Sequence, residues 1–193
     1  MWLADFDEPV LGLISVDFYA KGMSAVNSHQ SILSGRLYGG LAILWRKTLG
    51  SSCKIVTFEE EKRIMGIKVA NECQSHLLLN VYLPYCCSDN HDDYLLYLSK
   101  VESIINEADT PYVFVLGDFN ADVNNLLNHI FGRELYNYCN DEGLIISDYS
   151  MLPHKTTYTC YSEAHQITSW IDHLVCTQSA HMVIVRVVQL CYF

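Results

Sequence analysis

Apolar positions along the chain repeat with two different periods, and the period changes where the secondary structure is expected to change. Residues 38–47, YGGLAILWRK, set two glycines before an apolar and aromatic run, the pattern of a turn entering a strand. CKIVTF, RIMGIKVA and HLLLNVYLPY follow at regular spacing and predict three more short strands in an antiparallel meander. In DDYLLYLSKVESIINEA the period lengthens. Leu95, Leu98, Val101 and Ile105 recur with Lys100, Glu102 and Glu107 between them, which predicts a helix. Asp89 or Asn90 is placed to cap its start, and Pro111 follows its end. HIFGRELYNYCNDEG predicts a second helix closing at Gly143, while LIISDY, TYTCY, SWIDHLVCT and HMVIVRVVQ predict further strands. Strands dominate with helices interspersed, so the expected class is α/β, sheets faced by helices. No repeat, low-complexity segment or Pro/Gly-rich linker interrupts residues 1–193, and a single domain is expected.

Between the two predicted helices lies YVFVLGDFNADVNN, residues 112–125. YVFVL is apolar at successive positions, which predicts a strand covered on both faces. Gly117 ends it, and Asp118, Asn120 and Asp122 follow at once. Polar side chains just beyond a buried strand project into the cleft where open α/β sheets bind ligands. With strand-like alternation, Asp118 and Asn120 face one cleft and Phe119 turns into the core. A carboxylate beside a neutral amide suits phosphate chemistry. The acid takes a proton from water or helps hold Mg²⁺, and the amide donates to a phosphoryl oxygen without adding negative charge. The plain alternative is a simple turn, since Gly, Asp and Asn all favour turns.

Composition narrows this picture. Half of the 193 residues are hydrophobic and 12% are aromatic, enough for one sizeable core. Asp and Glu number 22 against 12 Lys and Arg, a formal net charge of −10, which opposes tight non-specific binding to nucleic acid. No apolar stretch reaches bilayer-crossing length, and MWLADFDEPV carries acids where a targeting signal carries bases. A soluble intracellular protein of the cytoplasm or nucleus, with no membrane partner, is expected. The eight cysteines contain no C-x-x-C pair and read as reduced thiols, mostly in strands and the core. Adjacent Cys86 and Cys87 are poorly spaced for a metal, and the histidines show no metal-type grouping.

The GDFNAD motif has company. NVYLP precedes it at residues 80–84 and SWIDHLVC follows at residues 169–176. Together the three resemble the endonuclease/exonuclease/phosphatase superfamily of metal-dependent phosphodiesterases. The wording looks most like the endonuclease domain of LINE-type retrotransposons, which is related to the abasic-site endonucleases. The likeness runs in family order from RLYGGLAILW through SWIDHLVCT. It implies a four-layer α-β-β-α sandwich of two mixed sheets, Mg²⁺ or Mn²⁺ as cofactor, and a DNA phosphate backbone as partner. By resemblance Asp118 orients or deprotonates the attacking water, Asn120 binds the phosphate, and both belong near the metal. Tyr82 matches the tyrosine whose hydroxyl lies near the scissile phosphate. Asp172 matches the aspartate that orients an essential histidine close to the family's C-terminus. His173 falls on the opposite strand face from Asp172 and is expected to be a half-exposed strand histidine.

Three parts of the family pattern are not recognisable in this sequence: the N-terminal strand bearing a phosphate-binding asparagine, the Q-E segment whose glutamate is the principal Mg²⁺ ligand, and the closing S-D-H. MWLADFDEP resembles the stretch that follows Q-E in LINE relatives, and Asp5, Asp7 and Glu8 are acids out of register with the motif. The expectation is therefore an endonuclease domain cut at both ends and impaired in catalysis, because such a constellation acts as a unit. Two alternatives stand beside it. One is a noncatalytic retroelement remnant or interaction module, and the other a phosphatase acting on a phosphorylated small molecule or lipid headgroup. Arg36, Arg46, Lys47, Lys62 and Arg63 are the basic residues available to contact a DNA backbone.

Overall fold

The computed structural model describes residues 8–24, 39–57, 62–163 and 165–188. Asp5, Asp7, Arg36 and the side chain of Glu8 lie outside the described residues, as does the chain beyond Val188. Backbone contacts divide the chain into two compact units, Met1–Tyr82 and Leu83–Phe193.

Among its described residues the first unit is built mainly of strands. After a short helix, α1 (Glu8–Leu11), β1 (Phe18–Met23) pairs antiparallel with β2 (Leu41–Arg46). Positive φ at Gly39 and Gly40 delivers the turn into β2 that the glycine pair predicts. β3 (Cys53–Thr57), β4 (Ile64–Ala70) and β5 (Ser75–Tyr82) form the expected antiparallel meander. Its last turn is tied by Asn71, whose Oδ1 accepts from the backbone N–H groups of Cys73 and Gln74 at 2.9 and 2.8 Å. Along β5 the period of two is clean, burying Leu77, Leu79 and Val81. β4 is buried on both faces from Ile64 to Ile67 because β2 lies against β4 and β5, with Asn80 Nδ2 donating to Ala42 O at 3.2 Å. Gly66 is required there, since a Cβ would come within 2.6 Å of Leu78 O.

The second unit places helices against a three-stranded antiparallel sheet. It contains α2 (His91–Glu107), β6 (Tyr112–Asp118), α3 (Ile130–Asp141), β7 (Leu144–Ile146) and α4 (Ser147–Met151). A small hairpin of β8 (Cys160–Ser162) and β9 (Ile167–Ser169) leads into β10 (Asp172–Thr177) and α5 (Gln178–His181). β10 lies between β6 and β7, antiparallel to both. α2 and α3 pack through Tyr94, stacked on Phe131 with ring centroids 4.0 Å apart, and through His91 Nε2 to Glu134 Oε1 at 3.2 Å.

Several expectations shift. The buried stripe of α2 is Tyr94, Leu98, Val101 and Ile104, and Leu95 is exposed, because the Tyr94 ring fills the space against Phe131. Asn90 sits at the helix start, but its side chain donates to Tyr85 O instead of capping. β6 is not covered on both faces. Val113 and Val115 are buried, whereas Leu116, on the opposite side, is 41% exposed. LIISDY remains a strand only to Ile146, after which Ser147–Met151 is helical. HMVIVRVVQ forms no ladder among its described residues: α5 ends at His181, residues 184–188 have no regular structure, and Val185 is 96% exposed. Branched residues there favour extended backbone, but a strand needs a hydrogen-bonded neighbour.

Candidate active site where β6 meets β10

β6 carries Asp118 as its last residue, and antiparallel pairing sets it directly opposite Asp172, the first residue of β10. Phe119 N donates to Ile171 O at 2.9 Å, so the next pair along, Asp118 and Asp172, is a non-hydrogen-bonded one, the closer type for side chains. Two carboxylates thus share one face at the end of the sheet. Asp118 is half-buried, and its carboxyl is pushed up to about 7, first by burial and then by the facing charge of Asp172. A hydrogen bond from Asn120 N and the nearby His173 work in the other direction. Asp172 is solvent-exposed, yet desolvation raises its carboxyl too, countered by the Thr159 hydroxyl and His173.

The segment after Asp118 is a turn and not a continuation of the strand. Asn120 has φ of +49°, and its backbone N–H donates to Asp118 Oδ1 at 2.8 Å, closing an Asx turn. The expected strand-like alternation of Asp118 and Asn120 is corrected accordingly. Phe119 does enter the core, at 1% exposure. Asparagine tolerates the left-handed conformation better than most residues, so the plain turn and the functional motif are the same object. Leu83 clamps this turn: its N–H donates to Asp118 O at 2.8 Å and its carbonyl accepts from Asn120 Nδ2 at 2.9 Å. One amide N–H of Asn120 is thereby engaged, which fixes the plane of the side chain. Further along, α3 presses its Gly132 onto the backbone of Asp122, where a Cβ would lie 2.2 Å from Asp122 O.

β10 is held as firmly. Thr159 Oγ1 accepts from the N–H groups of Ile171 and Asp172 at 3.1 and 3.0 Å, fixing the approach to Asp172. His173 points to the opposite face, as alternation predicts, but it is buried and not half-exposed. Its Nδ1 meets Asp148 Oδ2 at 2.8 Å and its Nε2 meets Ala121 O at 2.7 Å. Asp148 Oδ1 in turn accepts from Leu174 N at 2.8 Å. Ser147, Asp148 and Thr159 were not singled out by the sequence reading. The available signal was an acid following the apolar run LII, since a buried carboxylate requires partners. A pocket of ≈390 Å³ opens beside Asp172, lined among others by Leu116, Leu174, Thr157, Trp170 and Val188. The indole N–H of Trp170 is buried without a partner among the described residues.

Of the four sequence-derived site residues, the structure brings Asp118, Asn120 and Asp172 together in the second unit. Tyr82 closes β5 in the first unit, where it exchanges hydrogen bonds with Arg63: Tyr82 N donates to Arg63 O at 2.9 Å, and Arg63 Nη1 donates to Tyr82 O at 3.1 Å. The Arg63 guanidinium stands 5.2 Å over the tyrosine ring. The cysteines described are free thiols, with Cys139 and Cys176 buried.

The sequence profile of the endonuclease/exonuclease/phosphatase family matches residues 2–192. The chain belongs to this family. Its fold is likewise that of solved family structures. A 3′ phosphatase from Neisseria, solved with a product DNA hairpin, superposes with a TM-score of 0.63 at 14% identity, covering 94% of this chain and 74% of its own. The endonuclease domain of TRAS1, a telomere-specific non-LTR retrotransposon, gives 0.58 at 13% identity, covering 84% and 68%. A mannosyl-6-phosphatase from Bacteroides thetaiotaomicron gives 0.56 at 14% identity, covering 90% and 68%. No curated protein matches in sequence. The expected mixed α/β fold class is thus borne out, and the family identity places the chain among nucleases and phosphatases that generally use divalent metals. Among the described residues no helix is long and apolar enough to cross a membrane.

Among the described residues no three His, Cys, Asp or Glu side chains gather as a metal cage. The chemistry present still suits a hard cation. Asp118 and Asn120 offer oxygen donors, and the Asp118 carboxyl, lifted by burial and then by the facing Asp172, is one whose charged form a bound cation would favour.

Proposed function

We propose that residues 1–193 act as one phosphodiesterase-type domain that nicks DNA, the endonuclease of a retroelement, impaired in catalysis because neither the Q-E glutamate nor the S-D-H is recognisable in the sequence, with Mg²⁺ or Mn²⁺ held by Asp118 and Asn120. The observation that carries this reading is the Asp118–Asp172 pair, facing each other where β6 and β10 meet, with the Asp118 carboxyl lifted to about 7. A group titrating there both accepts and returns a proton near neutral pH, the range in which general bases are most effective. In this reading Asp118 orients a water molecule and takes its proton. Asn120, its plane fixed by Leu83, donates its remaining N–H to a non-bridging phosphate oxygen. Tyr82 contributes its hydroxyl to the phosphate, and Asp172 contributes the facing charge that, after burial, lifts the Asp118 carboxyl. A bound divalent cation supplies neutralisation of the phosphate charge. Arg46, Lys47, Lys62 and Arg63, all in residues 1–82, provide contacts to the DNA backbone.

Hydrolysis of a phosphomonoester on a small molecule is the second reading, supported by the pocket beside Asp172, which is of a size for a small ligand. One experiment separates them. Folded protein is incubated with supercoiled plasmid and, in parallel, with mannose 6-phosphate, each with Mg²⁺ and with EDTA. Metal-dependent conversion of plasmid to the open circle is the expected result. Phosphate release without nicking replaces the DNA reading by the monoester one, and neither product from folded protein leaves the noncatalytic alternative.

A further inference from the structure

His173 is the one buried imidazole whose two nitrogens connect three separate segments of the second unit among its described residues. Through Nε2 it reaches Ala121 O, within the turn that carries Asp118 and Asn120. Through Nδ1 it reaches Asp148 on α4, and the second oxygen of Asp148 returns to β10 at Leu174 N. The imidazole itself is fully enclosed, between the rings of Phe119 and Trp170, each with its centroid 6.0 Å away. A carbonyl oxygen and a carboxylate are both acceptors, so with Asp148 ionised both ring nitrogens donate. Enclosed charge-assisted bonds are among the stronger ones, and their geometry is shared by every segment they join.

We propose that His173 is a positioning residue for the catalytic turn: its Nε2–H···O bond to Ala121 fixes the turn over Gly117, the residue paired with His173 across the sheet, and so sets where Asp118 and Asn120 stand. The proposal rests on the reading of residues 118–122 as the catalytic turn. It goes beyond that reading by assigning a role to a side chain that touches neither water nor phosphate. Asp148 holds the imidazole ring and does not itself reach the turn.

Two substitutions separate positioning from charge. His173→Phe keeps an aromatic ring in the slot and removes both hydrogen bonds. Asp148→Asn keeps all three bonds, since its amide donates to Nδ1 and its oxygen accepts from Leu174 N, but it removes the charge from the pair. The expected result is a kcat for nicking about 100-fold lower in His173→Phe with KM changed less than about threefold, the scale of a misplacement near 1 Å. Asp148→Asn stays within about fivefold of wild type. A His173→Phe protein with unchanged kcat overturns the proposal, as does an Asp148→Asn protein as impaired as His173→Phe.

A second arm uses NMR and needs no turnover. In wild-type protein Nε2 of His173 carries a proton, and the amide of Asn120, bonded to Asp118 Oδ1, shows slow hydrogen exchange. Asp148→Asn preserves that protection, and His173→Phe, where it folds, loses it at least tenfold. An unprotonated Nε2 in the wild type overturns the proposal even where His173→Phe does not fold. If wild-type protein fails to cut DNA, the nicking function falls while the Asn120 exchange still decides whether His173 positions the turn.

Discussion

The two units of the chain are stabilised by different physics. Residues 1–82 hold eight Lys and Arg against eight Asp and Glu, while residues 83–193 hold four against fourteen, so the whole net charge of −10 belongs to the second unit. In the first unit the interior is plainly apolar, and several basic side chains lie over aromatic rings: Arg46 over Phe18, Lys47 over Tyr19, Arg63 over Tyr82. In the second unit Asp148 and His173 are buried within the core, and Asp118 sits half-buried opposite another acid. Apolar alternation is cheap to specify and tolerant of change, whereas buried polar groups must each find a partner. The unit that carries the proposed chemistry is thus the one that concentrates electrostatic strain, and the comparison is open to test.

The largest effect expected is on catalysis. Asp118→Ala removes the raised carboxyl and the acceptor of the Asn120 N–H together. A loss of about 10³ in nicking rate is expected, on the scale of removing one preorganised group from a charged transition state. Quantifying open-circle plasmid over time, with circular dichroism to verify folding, checks it. Retention of more than a tenth of wild-type rate would place the chemistry elsewhere.

Next comes stability, through a matched pair of glycines. Gly132→Ala forces a methyl against the backbone of Asp122 and is expected to destabilise by about 3 kcal/mol, whereas Gly66→Ala, where the flexible tip of Leu79 can yield part of the space, is expected to cost about 2 kcal/mol. Urea midpoints measure both. Under conditions where each remains folded, Gly132→Ala should also slow nicking, because Asp122 belongs to the turn after Asp118, and Gly66→Ala should not. Equal kinetic effects would dissolve the distinction between the units.

These glycines mark the limit of what the sequence discloses. The meander β3 to β5 was legible from the regular spacing of its short apolar runs, cleanest in β5 where burial alternates, and α2 and α3 because their apolar residues repeat at helical spacing. Asp118, Asn120 and Asp172 were legible from the motifs and their order. Asp148 was not, because its neighbours Leu144, Ile145 and Ile146 read as a strand, and only the tertiary partner His173 explains an acid there. His173 itself was assigned the correct face and the wrong exposure. Strand alternation sets direction, but burial depends on which helix lies above, and α4 has no signal of its own in five residues. The residues after α5 failed for the converse reason, having strand composition without a ladder partner among the described residues.

A smaller effect follows from the raised Asp118 carboxyl. The folded protein holds a proton there up to about pH 7, while the unfolded chain releases it near 3.8. Between those values the native state binds more protons, so the contribution of Asp118 to stability is full at about pH 4 and is lost as pH rises through 7. Asp118→Asn, which keeps the Oδ1 acceptor, should therefore be no more stable than wild type at pH 4 but more stable at pH 8, by about 2 kcal/mol after screening at a half-buried site. Urea unfolding in EDTA at the two pH values tests this. A gain that is equal at both would mean that the carboxyl titrates normally.

The smallest effect concerns the first unit's proposed share in the chemistry. Tyr82→Phe removes one hydroxyl and leaves the backbone exchange with Arg63 and the ring beneath its guanidinium intact. Circular dichroism should show the fold retained. If the hydroxyl meets the scissile phosphate, nicking slows by about tenfold, the worth of one neutral hydrogen bond of roughly 1.4 kcal/mol. That loss should appear on DNA. Unchanged kinetics would leave catalysis entirely to the acidic unit, and Met1–Tyr82 would then serve the reaction only through individual basic side chains such as Arg46 and Lys47.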